Sequence, residues 1–201
     1  MMMDMLTVPD KIHKAMGQTT KLWKYVMDVV SDIILPAGQG TSNWTMGWSG
    51  KKYSCIGQND FSCMISPEMF AGFCFEDNLQ CCNYSDYSIY HLDGPDAVKH
   101  VPKLLELEKL SCIQWVEGAG NPSPSNWIEL LRKIQKGGKT VQVLYLPTPS
   151  IEPPDLKREF EILCTSLDIT KLFIWMEADS RQHADEMVAF IKEVCRGKNK
   201  K

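Results

Sequence analysis

His91 and Asp93 end the run Tyr87-Ser88-Ile89-Tyr90-His91-Leu92-Asp93, and Gly94 and Pro95 follow. The run reads as a short strand, Gly94 as a turn and Pro95 as the start of an amphipathic helix. A metal-binding or acid/base pair on the last residues of a strand, just before a helix, is where α/β barrels keep their chemistry. Because His91 closes an otherwise apolar run, it is either a buried, hydrogen-bonded histidine or a ligand or acid/base group.

Other strand ends carry comparable groups. Asp60, His91 with Asp93, Glu117, Tyr145, and Glu177 with Asp179 follow five successive strand candidates. In a parallel sheet such ends converge on one face, which makes a polar rim. Asp93 and Asp179 have a second reading as caps of the following helices. Cys74, Cys81 and Cys82 with His91 offer soft zinc ligands. Adjacent Cys81 and Cys82, however, lack the spacer that lets both sulfurs reach one ion, and they read as small buried hydrophobes. His13, His100 and His183 fall in helices and read as surface residues.

Helical periodicity covers residues 10–35, ended by Pro36 and Gly38. Trp44–Trp48 and Tyr53–Gln58 are strand candidates. Ser66-Pro67-Glu68 opens a helix that frays near Cys81–Asn83. From Tyr87 the chain alternates regularly. Strands are expected at 87–92, 112–117, 141–146 and 172–176. Helices are expected at 95–106, 126–136 (with Asn126 and Glu129 as a capping box) and 155–167, and a last one capped by Asp179 or Ser180. A loop spans 147–154. Repeated strand–helix units mean parallel βα connections. No glycine-rich dinucleotide or phosphate-loop pattern follows a strand. The expectation is α/β, a partial (β/α)8 barrel, because six strand candidates fall short of the eight that a closed barrel sets in about 250 residues.

Of the 201 residues, 44% are apolar and 23% charged, an ordinary globular balance. A net charge of −3 argues against nucleic acid as a partner. No apolar stretch approaches a membrane span. Met1–Leu6 lacks the pattern of a secretory signal, and eight cysteines without such a signal suit reduced thiols in a cytoplasm. The expected layout is a disordered N-terminus to residue 9, one barrel domain over 10–195, and a basic tail over 196–201.

Three runs carry a family resemblance. They are Asp60 to Phe70 (DFSCMISPEMF), Tyr90 to Pro95 (YHLDGP) and Ile113 to Gly120 (IQWVEGAG). Together they resemble the uroporphyrinogen decarboxylase superfamily, nearest its corrinoid-methyltransferase-like branch, and the likeness extends over residues 10–195. It implies the C-terminal part of a (β/α)8 barrel. It also implies either methyl transfer from a corrinoid protein to a zinc-bound thiol, or decarboxylation of a tetrapyrrole without a cofactor. In the methyltransferases, zinc is held by a His-x-Cys pair followed by Gly and by a later Cys. His91 matches the first ligand, Asp93 replaces the cysteine, and the third position falls at Ala178, beside Glu177. The resemblance therefore makes His91, Asp93 and Glu177 the metal candidates, with Asp60, His91, Asp93 and Glu117 as catalytic candidates. The implied partners are a small thiol or tetrapyrrole substrate, a corrinoid protein, and a second copy or an N-terminal half that completes the barrel. A catalytically silent half-barrel that works through such pairing is the alternative outside enzymes.

Overall fold

The computed structural model of the chain describes residues 2–145 and 155–198, so the expected loop over 147–154 and the last three residues of the expected tail lie outside the described residues. Helix α1 (Met2–Thr7) and helix α2 (Pro9–Ile34) open the chain, so the N-terminus is helical where disorder is expected. Pro9 suits the first turn of α2, whose leading N–H groups have no intrahelical acceptor anyway. Strands β1 (Thr41–Ser42) and β2 (Trp48–Ser49) form a short antiparallel pair. The strand expected at Trp44–Trp48 is instead a turn, because Asn43 Oδ1 accepts the Thr45 N–H at 2.9 Å and Met46 sits at φ 63°.

Strand β3 (Tyr53–Gln58), a 3₁₀ turn (Asp60–Met64) and helices α3 (Pro67–Phe73) and α4 (Phe75–Tyr84) follow. Ser66 caps α3 as expected, accepting the Met69 N–H at 3.2 Å, a bond of the kind worth about 1 kcal/mol. Helix α4 holds through Cys81 and Cys82 rather than fraying there. Strand β4 (Tyr87–Asp93) leads into a 3₁₀ segment (Pro95–His100) and helix α5 (Val101–Leu105). Pro102 accounts for this division of the expected 95–106 helix. It has no N–H to donate and its ring clashes one turn back, so an α-helix cannot run through it unbroken.

Strand β5 (Cys112–Val116) precedes a 3₁₀ turn (Pro124–Trp127) and helix α6 (Ile128–Lys136). Asn126 does not form the expected capping box: its Nδ2 donates to the Ser123 carbonyl and hydroxyl, and α6 starts two residues later. Strand β6 (Thr140–Tyr145), helix α7 (Leu156–Ser166), strand β7 (Leu172–Met176) and helix α8 (Arg181–Lys198) complete the described chain. In the structure Asp155 caps α7 through the Arg158 N–H. The chain is α/β. Its five longer strands hydrogen-bond in sequence order, and the β3–β4 and β6–β7 pairs are parallel. Among the described residues no helix is long and apolar enough to cross a membrane.

The chain divides into two compact units between Ile113 and Gln114, where a single barrel domain is expected. In the first unit, Phe70, Cys82, Ile89, Tyr90, Leu92, Val101 and Leu104 are fully buried. Helix α2 is tied to α4 by Thr20 donating to Asp77 at 2.9 Å and by Trp23 edge-on to Tyr84. Lys52, just before β3, binds Asp28 of α2 at 2.8 Å and Tyr84 of α4 at 3.0 Å. In the second unit, Trp115, Leu131, Ile134, Val141, Val143, Phe160 and Leu163 form the core. Gln114 and Gln142, both fully buried on β5 and β6, satisfy each other at 2.7 Å, as buried amides must.

His100 is not a surface residue. It is 1% exposed, stacks on Phe70 at 4.4 Å, and its Nε2 lies 2.8 Å from the Ser62 carbonyl. Burial pulls its pKa below the ordinary 6.5 despite that bond, and its Nδ1 has no partner for a second proton. A histidine held neutral in the fold contributes stability that is present above the unfolded value and lost as pH falls below it. The wild type should therefore lose more melting temperature between pH 7 and pH 5 than His100→Gln, which retains a donor for Ser62 but does not titrate. Equal losses in thermal unfolding would remove His100 from the pH response.

Candidate metal centre

Strand alternation places His91 and Asp93 on one face of β4, because side chains two residues apart share a face. The intervening Leu92 is buried on the other. In the β3–β4 ladder Gln58 pairs with His91, and one residue of β3 is skipped between Cys55 and Gly57. Gly57 is required at this bulge. A Cβ there would lie 2.5 Å from the Tyr90 ring. The ladder leaves Asp60, the first residue of the 3₁₀ turn after β3, beside the end of β4.

Asp60, His91 and Asp93 each present a ligand atom, and these atoms lie within 4.8 Å of one another. Asp60 Oδ1 is 4.0 Å from His91 Nε2. The His91 side chain is 10% exposed and that of Asp60 is 54% exposed, so the site has one fixed wall and one adjustable wall. Trp44 meets the His91 ring edge-on at 4.9 Å and restricts its rotation. The Cys55 thiol lies beside the His91 backbone and the Trp44 side chain and is pushed up to about 11, chiefly by burial. It is therefore a neutral thiol at pH 7.

One imidazole and two carboxylates suit a divalent ion such as zinc, manganese or iron(II). Ligands about 2.1 Å from a tetrahedral ion stand about 3.4 Å apart, so closing the group takes less than about 1.5 Å, within reach of the exposed Asp60 side chain. Three protein ligands leave at least one coordination position for water or substrate, the arrangement of catalytic rather than structural metal sites.

The remaining candidates belong to the second unit. Glu177 is exposed, and its backbone N–H donates to the Tyr145 carbonyl at 3.2 Å. Asp179 accepts from His183 Nδ1 at 2.9 Å, and Ser180 caps α8 through the His183 N–H. Tyr145 donates to Glu159 Oε2 at 2.8 Å. Glu159, 8% exposed, also accepts from Ser123, from the Ser125 hydroxyl and from the Ser125 N–H. Sequence reading missed this acid, because a glutamate in the first turn of a helix looks like ordinary dipole complementation. Cys74, Cys81 and Cys82 are all buried and form no disulfide among the described residues, and burial lifts the first thiol to about 12 and the second to about 11. They pack as small hydrophobes and join no ligand group among the described residues.

Glu117 is half-buried, and burial first and the Glu159 charge second hold its carboxyl above the ordinary range. A carboxyl whose folded pKa is raised contributes stability below its unfolded value and loses it as pH rises through the folded value. Glu117→Gln should accordingly melt higher than wild type at pH 7, with the difference vanishing near pH 4. A lower melting temperature at pH 7 would mean that the Glu117 charge is compensated in the fold.

No protein-family model, curated protein or solved structure matches the chain.

Proposed function

We propose that Asp60, His91 and Asp93 hold a divalent metal whose open position takes a small thiol for methyl transfer from a corrinoid protein. In this reading the scaffold is a partial (β/α)8 barrel of the uroporphyrinogen decarboxylase type. The observation that carries it is the convergence of the three ligand atoms within 4.8 Å at the ends of β3 and β4. The run of parallel βα units behind them supports the barrel assignment. A bound metal would supply one thing, a lowered thiol pKa that makes the sulfur a nucleophile near neutral pH.

The chain's own residues do the rest. His91, braced by Trp44, orients one ligand bond. Asp93 stands where the methyltransferases carry a thiolate, and a carboxylate, which donates less charge than a thiolate, would leave a bound ion more electron-poor and better able to lower the substrate thiol's pKa. Asp60, the exposed member of the group, would supply the third ligand. The substrate thiol would lose its proton to solvent, and its sulfur would form the S–CH3 bond as the corrinoid's Co–CH3 bond breaks, with that bond's electron pair staying on the cobalt, which leaves as cobalt(I). A polycarboxylate tetrapyrrole suits this centre less well, because two of its three groups are themselves carboxylates that repel it.

Cobalt(II) tests the reading, since thiolate binding to it adds a near-ultraviolet charge-transfer band. Cobalt-loaded protein titrated with mercaptoethanol should develop that band, and His91→Ala should not. Metal uptake with no thiolate band would keep the metal centre and overturn the thiol chemistry.

A further inference from the structure

A cavity of about 420 Å³ opens within the first unit, walled by α2, β3 and α4, in the size range of small-molecule sites. Ile12, Met16, Trp23, Ile56 and Phe61 give it an apolar lining. Asn78 also lines it, and this side chain is 3% exposed with no hydrogen-bond partner for its Nδ2. The Asn78 Oδ1 stands 3.2 Å from the point where a Cβ on Gly57 would sit, so the carbonyl end is turned toward β3. A buried amide donor left unpaired is costly, and native proteins seldom tolerate one. Asp77, the one charged residue in the lining, already accepts the Thr20 hydroxyl and repels anions.

We propose that this cavity binds an uncharged, largely apolar molecule through one carbonyl oxygen, which accepts the Asn78 Nδ2–H. The inference goes beyond the metal reading, and neither metal nor thiol enters it. Acetophenone and α-methylstyrene form the test pair, since they differ by a carbonyl oxygen against a methylene group of similar shape. Calorimetric titration should show acetophenone binding at one per chain and about tenfold more tightly than α-methylstyrene. Asn78→Leu should erase that preference. Ala15→Trp, on the exposed rim of the cavity, should abolish binding of both with the circular dichroism unchanged. Equal affinity of the two probes for wild type, no binding of either, or full binding to Ala15→Trp would each overturn the proposal.

An independent feature lies on the outer face of α2. Leu22, Tyr25, Val26, Val29, Val30 and Ile33 are 43–68% exposed and form one stripe. Positions 22, 26, 29 and 33 repeat at spacings of four, three and four, the pattern of a coiled-coil seam. A two-fold axis beside residues 27 and 28 pairs Leu22 with Ile33, Tyr25 with Val30 and Val26 with Val29, so the stripe is complementary to its own antiparallel copy. Lys21 and Asp32 project from the same edge of the stripe at 3.6 residues per turn, so the same axis brings Lys21 of one copy near Asp32 of the other. The geometry points to a second copy of this chain as the partner of α2, docked antiparallel.

Sedimentation equilibrium should show a dimer that Val26→Glu converts to a monomer. Lys21→Glu should weaken the dimer, and the swap Lys21→Glu with Asp32→Lys should restore it. A wild-type monomer, a monomer that cosediments with phosphatidylcholine vesicles, or a dimer indifferent to Val26→Glu would each overturn this docking.

Discussion

His91→Ala is expected to weaken zinc binding by at least about 100-fold, because it removes the one nitrogen ligand and leaves two carboxylates. Loss of a mere supporting contact around a metal already costs about 10–100-fold, and loss of a direct ligand costs more. The edge-on contact with Trp44 also disappears, so some stability is lost with it. His91→Gln separates the two effects, since it keeps most of the volume while its amide is a poor ligand. It should melt close to wild type and bind zinc as weakly as His91→Ala. Trp44→Phe, which keeps an aromatic neighbour, should bind zinc within a few-fold of wild type.

The second large effect belongs to Glu159, and it concerns stability. Its two oxygens receive four hydrogen bonds, from Ser123 Oγ at 2.7 Å, Ser125 Oγ at 2.7 Å, the Ser125 N–H at 3.1 Å and Tyr145 OH at 2.8 Å. These bonds join the end of β6, the first turn of α7 and the 3₁₀ turn before α6. Glu159→Ala strands four donors around a small void, and breaking such a buried charged network costs about 3–5 kcal/mol. Glu159→Gln keeps the shape but turns an amide N–H₂ toward donors, so an intermediate loss is expected. Tyr145→Phe removes one bond and should cost about 1 kcal/mol. Denaturant unfolding that ranks the three variants in any other order would show that the carboxylate does not hold these elements together.

His91 and Asp93 were legible in the sequence because alternation along a strand is a short-range property, and a polar pair ending an apolar run stands out. Asp60 was legible for the same reason, as the first acid after a strand. That the two ends meet depends on the register of β3 against β4, which the bulge at Gly57 shifts, and glycine alone does not announce a bulge. The aromatic run at Trp44–Trp48 reads as a strand, yet the Asn43 side chain folds this segment into the turn that brings the Trp44 indole to His91. His100 looked superficial because its helical pattern was read straight through Pro102, whereas the 3₁₀ geometry before that proline turns the ring inward onto Phe70. Glu117 and Glu177 lie in the second unit. The ligand atoms of Asp60, His91 and Asp93 come together within the first unit.

Asp60, His91 and Asp93 are proposed to form one metal site. Its most direct test is the zinc stoichiometry of chelator-stripped protein, measured by equilibrium dialysis with metal analysis, beside Asp60→Asn, His91→Ala and Asp93→Asn. One zinc per chain is expected for wild type, with the affinity falling in all three variants. Wild-type protein that takes up no zinc, or uptake unaffected by all three substitutions, would contradict it.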